Sequence, residues 1–130
     1  MKKRAIFLDR DGTINEDVGY PGKPSQIKIF ASSFDALAKI NASGFLAVII
    51  TDQSGIGRGY FTEADLEEIH QKMKSDFAER GARVDGIYAC PHYELSPNPR
   101  YRKDCDCRKP KPGLALRAAK DLGLDLAGSY

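Results

Sequence analysis

The sequence predicts an α/β domain built on a parallel sheet. Two short apolar runs, each ending in polar residues, and a third strand candidate at residues 84–89 alternate with segments of helical periodicity. A short apolar run bounded by turn residues is typical of a buried strand. Strands that alternate with helices favour βα units, whose strands lie parallel. The 130 residues suffice for one domain with a hydrophobic core, so we expect a single domain over residues 1–130.

Start and stop signals in the sequence outline each predicted helix. Ser33 is expected to cap the first helix, and Thr62 opens a capping box for the second. Glycines at positions 44, 81 and 123 follow the three helical segments and are good helix stops. We expect the helices to cover both faces of the sheet in a three-layer α/β/α, Rossmann-like arrangement. The predicted strands are residues 5–8, 45–50 and 84–89, and the predicted helices are residues 33–43, 63–80 and 113–122.

Composition and charge exclude several classes of protein. The net charge of +2 is too small to favour a nucleic-acid partner. No apolar run approaches the length of a membrane span, and the basic N-terminus leads directly into a short strand rather than a signal peptide. We therefore expect a cytoplasmic monomer with a small-molecule substrate, and neither nucleic acid nor a membrane as a partner.

The first apolar run leads into two carboxylates, Asp9 and Asp11, and then into Gly12-Thr13. In open α/β sheets, ligands bind at the carboxyl ends of the strands. Two carboxylates spaced i and i+2 as a strand ends can reach one metal or one phosphate. The alternative is an ordinary polar turn, because Asp and Gly are common in turns.

Two more polar clusters follow the later strands. Thr51 and Ser54 lie in a glycine-rich loop with Arg58 after the second strand, and Arg108 and Lys109 follow the third. Each cluster has an ordinary alternative, a strand end or a solvated pair of cations. Carboxylates, hydroxyls, free backbone N–H groups and a cation together suit a phosphate held beside a divalent metal.

The long loop between residues 90 and 111 contains a set of metal-ligating residues. Cys90 and His92 form a C-x-H pair, and Cys105 and Cys107 form a C-x-C pair. Three sulfurs and one imidazole make a closed tetrahedral zinc set, which would order this loop; the alternative is free thiols and a surface histidine. His70, on the second helix, is interpreted as a surface or packing residue rather than a ligand.

Three motifs, in order, resemble those of the haloacid dehalogenase superfamily of phosphatases. Residues 7–15 (FLDRDGTIN) look like its first motif, and residues 51–59 (TDQSGIGRG) resemble its second. Residues 105–113 (CDCRKPKPG) look like the third motif in the form used by the histidinol-phosphatase branch. The resemblance covers essentially the whole chain. That branch has a zinc loop at the position of the Cys/His set.

The resemblance implies roles for individual residues. Asp9 would be the nucleophile, and Asp11 would protonate the leaving oxygen and then activate water. Asp9 and Asp11 would also help bind the catalytic Mg²⁺, while Thr51 and Lys109 would hold the transferring phosphoryl group. Zn²⁺ on the cysteine and histidine set would be structural. The residues implied in substrate contact are Asp17, Val18, Gly19, Tyr20, Thr51, Asp52, Gln53, Ser54, Arg108 and Lys109.

The function implied by the resemblance is Mg²⁺-dependent hydrolysis of a phosphate monoester on a small phosphorylated sugar. No insertion of cap size follows the first motif, so we expect a capless, open pocket. A histidinol-phosphate phosphatase is the alternative within the same branch, and a non-catalytic, zinc-stabilised binding module is the alternative outside enzymes. A nucleic-acid 3′-phosphatase is disfavoured by the near-neutral charge.

The sequence departs from the family pattern at two places. Asp52 stands where the second motif usually has Asn, and an added carboxylate near a phosphate should weaken anion binding if it faces the pocket. The acidic fourth motif, which supplies further Mg²⁺ ligands, is expected just after Tyr130 and is absent. We therefore expect the native protein to continue beyond this chain, and expect the chain alone to bind Mg²⁺ weakly and to turn over slowly.

Overall fold

A computed structural model of the chain describes residues 2–130, and its ordered elements alternate between strands and helices. Single turns of 3₁₀ helix lie at Pro24–Gln26 and Leu126–Gly128. The remaining elements, in chain order, are β1 (Ala5–Leu8), α1 (Ala31–Ala42), β2 (Leu46–Asp52), α2 (Ser54–Gly57), α3 (Glu63–Glu79), β3 (Gly86–Cys90) and α4 (Gly113–Leu122).

The three strands form one parallel sheet in the order β1-β2-β3, which confirms the predicted α/β class. In the register, Leu8 lies opposite Ile49 of β2, and Thr51 of β2 lies opposite Ala89 of β3. This alignment brings the carboxyl ends of all three strands to one edge of the sheet. The loops that follow the strands therefore meet at that edge.

Alternate residues of β2 face opposite layers of helices, as the two-residue period of a strand requires. Ala47 and Ile49 pack with α1 and α3 through buried Leu37 and Phe77. Val48 packs on the other face, against Ala118 of α4. Both faces of the central strand are therefore covered, which explains why β2 reads as a continuous apolar run.

Helix α3 begins and packs as the sequence predicts. The Thr62 side chain accepts a hydrogen bond from the backbone N–H of Asp65, and the Asp65 carboxylate accepts one from the N–H of Thr62. This capping box satisfies N–H groups that a helix start leaves unpaired. The predicted stripe of Leu66, Ile69, Met73 and Phe77 is buried. Within residues 2–130, no helix is both long enough and apolar enough to cross a bilayer.

Helix α1 begins at Ala31, two residues before the predicted start, and Ser33 is not its cap. The Ser33 hydroxyl instead donates to the carbonyl of Ile14 at 2.8 Å, which ties the helix to the loop after β1. Strand β2 also differs from the prediction, because its pairing with β3 continues through Thr51 and Asp52. Residues 54–57, predicted as loop, form the short helix α2.

The edge of β1 away from β2 pairs with the last residue of the chain. The Phe7 N–H donates to the carbonyl of Tyr130 at 2.7 Å, and the Tyr130 N–H donates to the carbonyl of Ala5 at 3.0 Å. The Ser129 hydroxyl accepts the Ala5 N–H at 2.9 Å. These bonds place residues 129–130 alongside β1.

Candidate active site

Asp9 and Lys109 form an ion pair at the carboxyl edge of the sheet. Asp9 directly follows β1, and its Oδ1 accepts hydrogen bonds from Lys109 Nζ at 2.8 Å and from the Arg10 N–H at 2.9 Å. Lys109 Nζ also donates to the carbonyl of Ile50 in β2 at 3.2 Å. The ammonium group therefore spans the ends of two adjacent strands. The positive charge of Lys109 therefore lies close enough to Asp9 to neutralise an anion bound there.

The Asp11 carboxylate is held by hydrogen bonds from three side chains. Arg10 donates from Nε to Oδ1 at 3.0 Å and from Nη2 to Oδ2 at 3.1 Å. Asn15 Nδ2 donates to Oδ1 at 3.1 Å, and Gln53 Nε2 donates to Oδ2 at 3.0 Å. Gln53 Nε2 also lies 2.8 Å from Thr51 Oγ1, so the same amide orients the buried threonine. Asp11 and Thr51 are thus fixed relative to each other.

Asp52 connects the end of β2 to the loop that carries Lys109. Its Oδ1 accepts the backbone N–H of Lys109 at 3.2 Å. The same loop is closed at its far end, where the Gly113 N–H donates to the carbonyl of Asp106 at 2.7 Å. A Cβ at position 113 would overlap the Asp106 backbone, so glycine is required at this close approach. Both contacts limit where the Lys109 side chain can lie.

An open cleft of about 410 Å³ brings most of the predicted site residues together. Within the described chain, its lining does not include Val18, Gln53, Ser54 or Arg108. Gln53 lies beneath the floor, and Arg108 borders a neighbouring cavity, where its Nη1 donates to the carbonyl of His92 at 3.3 Å. The lining residues are Asp9, Asp11, Asp17, Gly19, Tyr20, Thr51, Asp52 and Lys109.

Aromatic rings pack around the Arg58 side chain at one wall of the cleft. The Arg58 guanidinium lies 3.9 Å from the ring centre of Tyr93 and 5.3 Å from that of Tyr20. The Tyr20 ring packs against Tyr60 at a centroid distance of 5.0 Å. Arg58 Nε also donates to the hydroxyl of Ser54 at 3.3 Å. Arg58 therefore joins the loop after β1 to the loop that contains the cysteines.

The four predicted zinc ligands converge on one point. Their ligand atoms all lie within 4.8 Å of one another. Cys105 Sγ is 3.6 Å from the sulfurs of both Cys90 and Cys107. His92 Nδ1 lies 3.5 Å from Cys90 Sγ and 3.2 Å from Cys107 Sγ. A tetrahedral zinc site with bonds of about 2.3 Å to sulfur separates its sulfurs by about 3.8 Å, so the four donors fit a zinc ion in number and type, and the two distances from Cys105 also fit in spacing.

One pair in this cluster is closer than a zinc site requires. The sulfurs of Cys90 and Cys107 are in bonding contact, as in a disulfide, and their Cα atoms are 5.5 Å apart. A disulfide would explain two of the four residues and would give no role to Cys105 and His92. Burial, and then the charges of Lys103 and Arg117, lower the pKa of His92. The convergence of all four donors favours the metal.

Sequence reasoning missed a buried pair beside the cleft. The Arg10 side chain is completely buried, and its Nη1 lies 3.1 Å from Nε2 of His70 on α3. Burial, and then the adjacent charge of Arg10, lower the pKa of His70 to about 3. The sequence left open whether His70 is a surface or a packing residue, and the structure places it in the interior. Strand alternation, continued past the end of β1, could have indicated Arg10, because it places residue 10 on the same face as Leu8, which packs toward α1 and α3.

The donor chemistry of the cleft fits a hard divalent cation. Asp9 and Asp11 both offer carboxylate oxygens to the cleft, and oxygen is the donor that Mg²⁺ prefers. Asp9 Oδ2 makes no hydrogen bond with the described residues, whereas both oxygens of Asp11 accept hydrogen bonds from Arg10, Asn15 or Gln53. Asp9 is therefore the more available of the two ligands.

Solved structures similar to this chain are phosphatases with a haloacid-dehalogenase-like fold. A Mesorhizobium loti protein classed as an HAD-like phosphatase matches with a TM-score of 0.91 and 39% identity over 98% of this chain and 61% of its own. The D,D-heptose 1,7-bisphosphate phosphatase of B. bronchiseptica, solved with magnesium and phosphate, matches with a TM-score of 0.78 and 35% identity over 95% of this chain and 65% of its own. The fold and the site therefore define an HAD-like phosphatase.

Sequence relatives give the family within this class. The D-glycero-β-D-manno-heptose-1,7-bisphosphate 7-phosphatase of Pasteurella multocida is 48% identical over 128 residues, which are 98% of this chain and 69% of that protein. The enzyme of the same name from Escherichia coli K12 is 45% identical over 126 residues, 97% of this chain and 66% of that protein. No family model matches the chain. The chain belongs to the heptose-bisphosphate phosphatase family of HAD-like phosphoric monoester hydrolases.

Replacement of Asp52 by Asn should strengthen the binding of phosphate. Asp52 lines the cleft, and its charge repels an anion there, whereas an Asn side chain can still accept the Lys109 N–H. We expect KM for p-nitrophenyl phosphate and Kd for inorganic phosphate to fall roughly three- to fivefold. Asp35→Asn, on the exposed side of α1, is the matched control. Unchanged constants in Asp52→Asn would show that this carboxylate does not act on the bound anion.

Proposed function

We propose that this chain carries the catalytic machinery of a Mg²⁺-dependent phosphatase acting on the 7-phosphate of D-glycero-β-D-manno-heptose 1,7-bisphosphate. The observation that carries the proposal is the arrangement of three groups in one cleft. One carboxylate oxygen of Asp9 has no hydrogen bond from residues 2–130, Lys109 Nζ lies 2.8 Å from the other, and Asp11 is fixed beside them. The substrate follows from the names of the relatives, to which this chain is 40–48% identical.

In the first step, Asp9 acts as the nucleophile. Its free oxygen attacks phosphorus, a bond to phosphorus forms, and the bond between phosphorus and the sugar oxygen breaks. Asp11, in its protonated form, gives its proton to the departing sugar oxygen. The products of this step are the sugar alcohol and a phosphorylated Asp9.

In the second step, water releases the phosphate. Asp11, now a carboxylate, takes a proton from a water molecule as that water attacks phosphorus. The bond between phosphorus and Asp9 breaks, so inorganic phosphate leaves and the Asp9 carboxylate is restored. Asp11 needs a fixed position in both steps, and hydrogen bonds from Arg10, Asn15 and Gln53 are suited to provide it.

The remaining cleft residues would bind the anion and orient the sugar. Lys109 neutralises the transferring phosphoryl group, and the Thr51 hydroxyl, oriented by Gln53, donates to one of its oxygens. Mg²⁺, bound through Asp9 and Asp11, would offset the repulsion between the carboxylates and the phosphate. The cleft residues proposed to contact the sugar and its phosphates are Asp17, Gly19, Tyr20 and Asp52; the resemblance also implies Val18, Gln53, Ser54 and Arg108, which lie outside the lining of the cleft.

A substrate panel tests the proposed function. We expect the heptose 1,7-bisphosphate to be hydrolysed slowly but with a higher kcat/KM than histidinol phosphate, with release of the 7-phosphate and dependence on Mg²⁺. Asp9→Asn should lose activity on the order of 10³-fold or more, because the amide oxygen is a poor nucleophile. The matched Asp35→Asn variant should retain activity. Phosphate release is measured with a coupled assay, and the released position by ³¹P NMR.

Other outcomes of the panel would contradict the proposal. A preference for histidinol phosphate would assign the chain to the other activity of the branch. Binding of the bisphosphate without turnover, at saturating Mg²⁺, would favour a non-catalytic module. Activity that survives in Asp9→Asn would remove Asp9 from the mechanism.

The Cys/His cluster is proposed as a structural zinc site that orders the loop ahead of Arg108 and Lys109. Four protein ligands leave no open position for water, which is the pattern of a structural rather than a catalytic site. Zinc bound here would fix the loop that carries Tyr93, and Tyr93 packs on Arg58 at the rim of the cleft. Loop order and cleft shape would therefore depend on the metal.

Cys105→Ser distinguishes zinc from a disulfide, because a disulfide between Cys90 and Cys107 would not involve Cys105. We expect about one equivalent of zinc per chain in the native protein and little in Cys105→Ser, measured by atomic emission. The denatured, chelated native protein should show all three thiols free in a thiol titration. One free thiol and no zinc would contradict the zinc site and support the disulfide.

A further inference from the structure

His70, which pairs with Arg10, is a buried polar residue that the proposed mechanism leaves without a role. Arg10 is completely buried and His70 is 6% exposed, so neither side chain is a surface group. His70 lies in the middle of α3, whose other buried positions are apolar: Leu66, Ile69, Met73 and Phe77. A buried guanidinium is costly unless its N–H groups are paired. The pair therefore requires an explanation beyond the packing of the helix.

The contact between the two side chains fixes the state of the histidine. A guanidinium only donates hydrogen bonds, so the Nε2 of His70, at 3.1 Å from Arg10 Nη1, must accept. His70 is then neutral, with its proton on Nδ1. The charged groups near the ring are Arg10, Lys74 and Asp11; burial is the main cause that lowers the His70 pKa to about 3, and both cations act in the same direction. The ring stays an acceptor throughout the physiological range.

The opposite side of the Arg10 guanidinium holds Asp11. Arg10 Nε donates to Asp11 Oδ1 at 3.0 Å, and Arg10 Nη2 donates to Asp11 Oδ2 at 3.1 Å, in a bidentate arrangement. The guanidinium is thus fixed between an acceptor on α3 and the carboxylate after β1. Without the acceptor on α3, Nη1 would be a buried donor with no partner, and the planar group would reorient to satisfy it. The Asp11 carboxylate would turn with it.

We infer that His70 is a positioning residue for the general acid–base group, acting on Asp11 through Arg10. His70 itself touches neither substrate nor reacting atoms. This inference rests on the proposed function for its kinetic consequences, because it assumes that Asp11 transfers the proton to and from the reacting oxygens. The geometric part, a neutral His70 that holds Arg10 and thereby Asp11, does not depend on that activity.

Two variants of position 70 test the inference. His70→Leu keeps the approximate shape of the ring and removes the acceptor, whereas His70→Gln keeps an acceptor for Arg10. The substrates are an alkyl phosphate, whose leaving oxygen needs a proton, and p-nitrophenyl phosphate, whose phenolate leaves without one. At saturating Mg²⁺, so that a weaker metal affinity at Asp11 does not lower both rates, we expect kcat/KM of His70→Leu to fall about 10- to 100-fold for the alkyl phosphate and little for the aryl phosphate. His70→Gln should be close to wild type for both.

A purely structural role gives a different pattern. Loss of the folded fraction lowers kcat/KM for both substrates by the same factor, and that result for His70→Leu would overturn the inference. The inference would also fail if His70→Leu kept full activity on the alkyl phosphate, or if His70→Gln were as impaired as His70→Leu.

NMR provides a test that needs no activity. In the wild-type chain, ¹⁵N shifts of the His70 ring should show a neutral ring protonated at Nδ1. A ring protonated at Nε2 would overturn the inference, whether or not any variant folds. At constant pH, the Asp11 carboxyl ¹³C resonance should move in His70→Leu and stay in His70→Gln, with the Asp35 carboxyl unchanged in both. An unmoved Asp11 resonance in a folded His70→Leu would also overturn it.

The kinetic and NMR results separate this inference from the proposed function. If the wild-type chain hydrolyses no phosphate monoester, the proposed function fails. The NMR result then decides on its own whether His70 positions Asp11. If the chain is active and the Asp11 carboxyl resonance does not move in His70→Leu, the proposed function is supported and the positioning role of His70 is wrong.

Discussion

The ammonium group of Lys109 connects the parts of the cleft that must lie together. It donates to Asp9 at the end of β1 and to the carbonyl of Ile50 in β2, although Lys109 itself follows β3 by almost twenty residues. This contact is possible because the parallel register brings the carboxyl ends of β1 and β2 side by side. The position of one cation therefore depends on the sheet and on the path of the long loop before it.

Several contacts set that path. The backbone of Lys109 donates to Asp52, and the Gly113 N–H donates to the carbonyl of Asp106. The Cys/His cluster lies in the same loop, with Asp106 between two of its cysteines, and its four ligand atoms lie within 4.8 Å of one another. Asp52 thus has two opposing effects, because its oxygen anchors the loop while its charge faces the anion site. An Asn at this position would keep the first effect and remove the second.

Much of the fold and the cleft could be predicted from the sequence, because the strands and helices follow strong local patterns. The apolar run of β2, the capping box of α3 and the glycine that ends α4 each indicate structure over a few residues. Ser33 was misread as a cap because its partner, the carbonyl of Ile14, is distant in sequence. The same reason hid the contact between Arg10 and His70, which are sixty residues apart. Local patterns do not specify which buried polar groups meet across two elements.

The proposed mechanism requires that Asp9, held beside Lys109, becomes phosphorylated during turnover. The most direct measurement is to mix the chain with heptose bisphosphate and Mg²⁺, quench with acid, reduce with borohydride and sequence the peptides by mass spectrometry. Reduction converts a phosphorylated aspartate to homoserine, and we expect homoserine at position 9. Homoserine at position 11, or continued turnover with no homoserine at position 9, would contradict it.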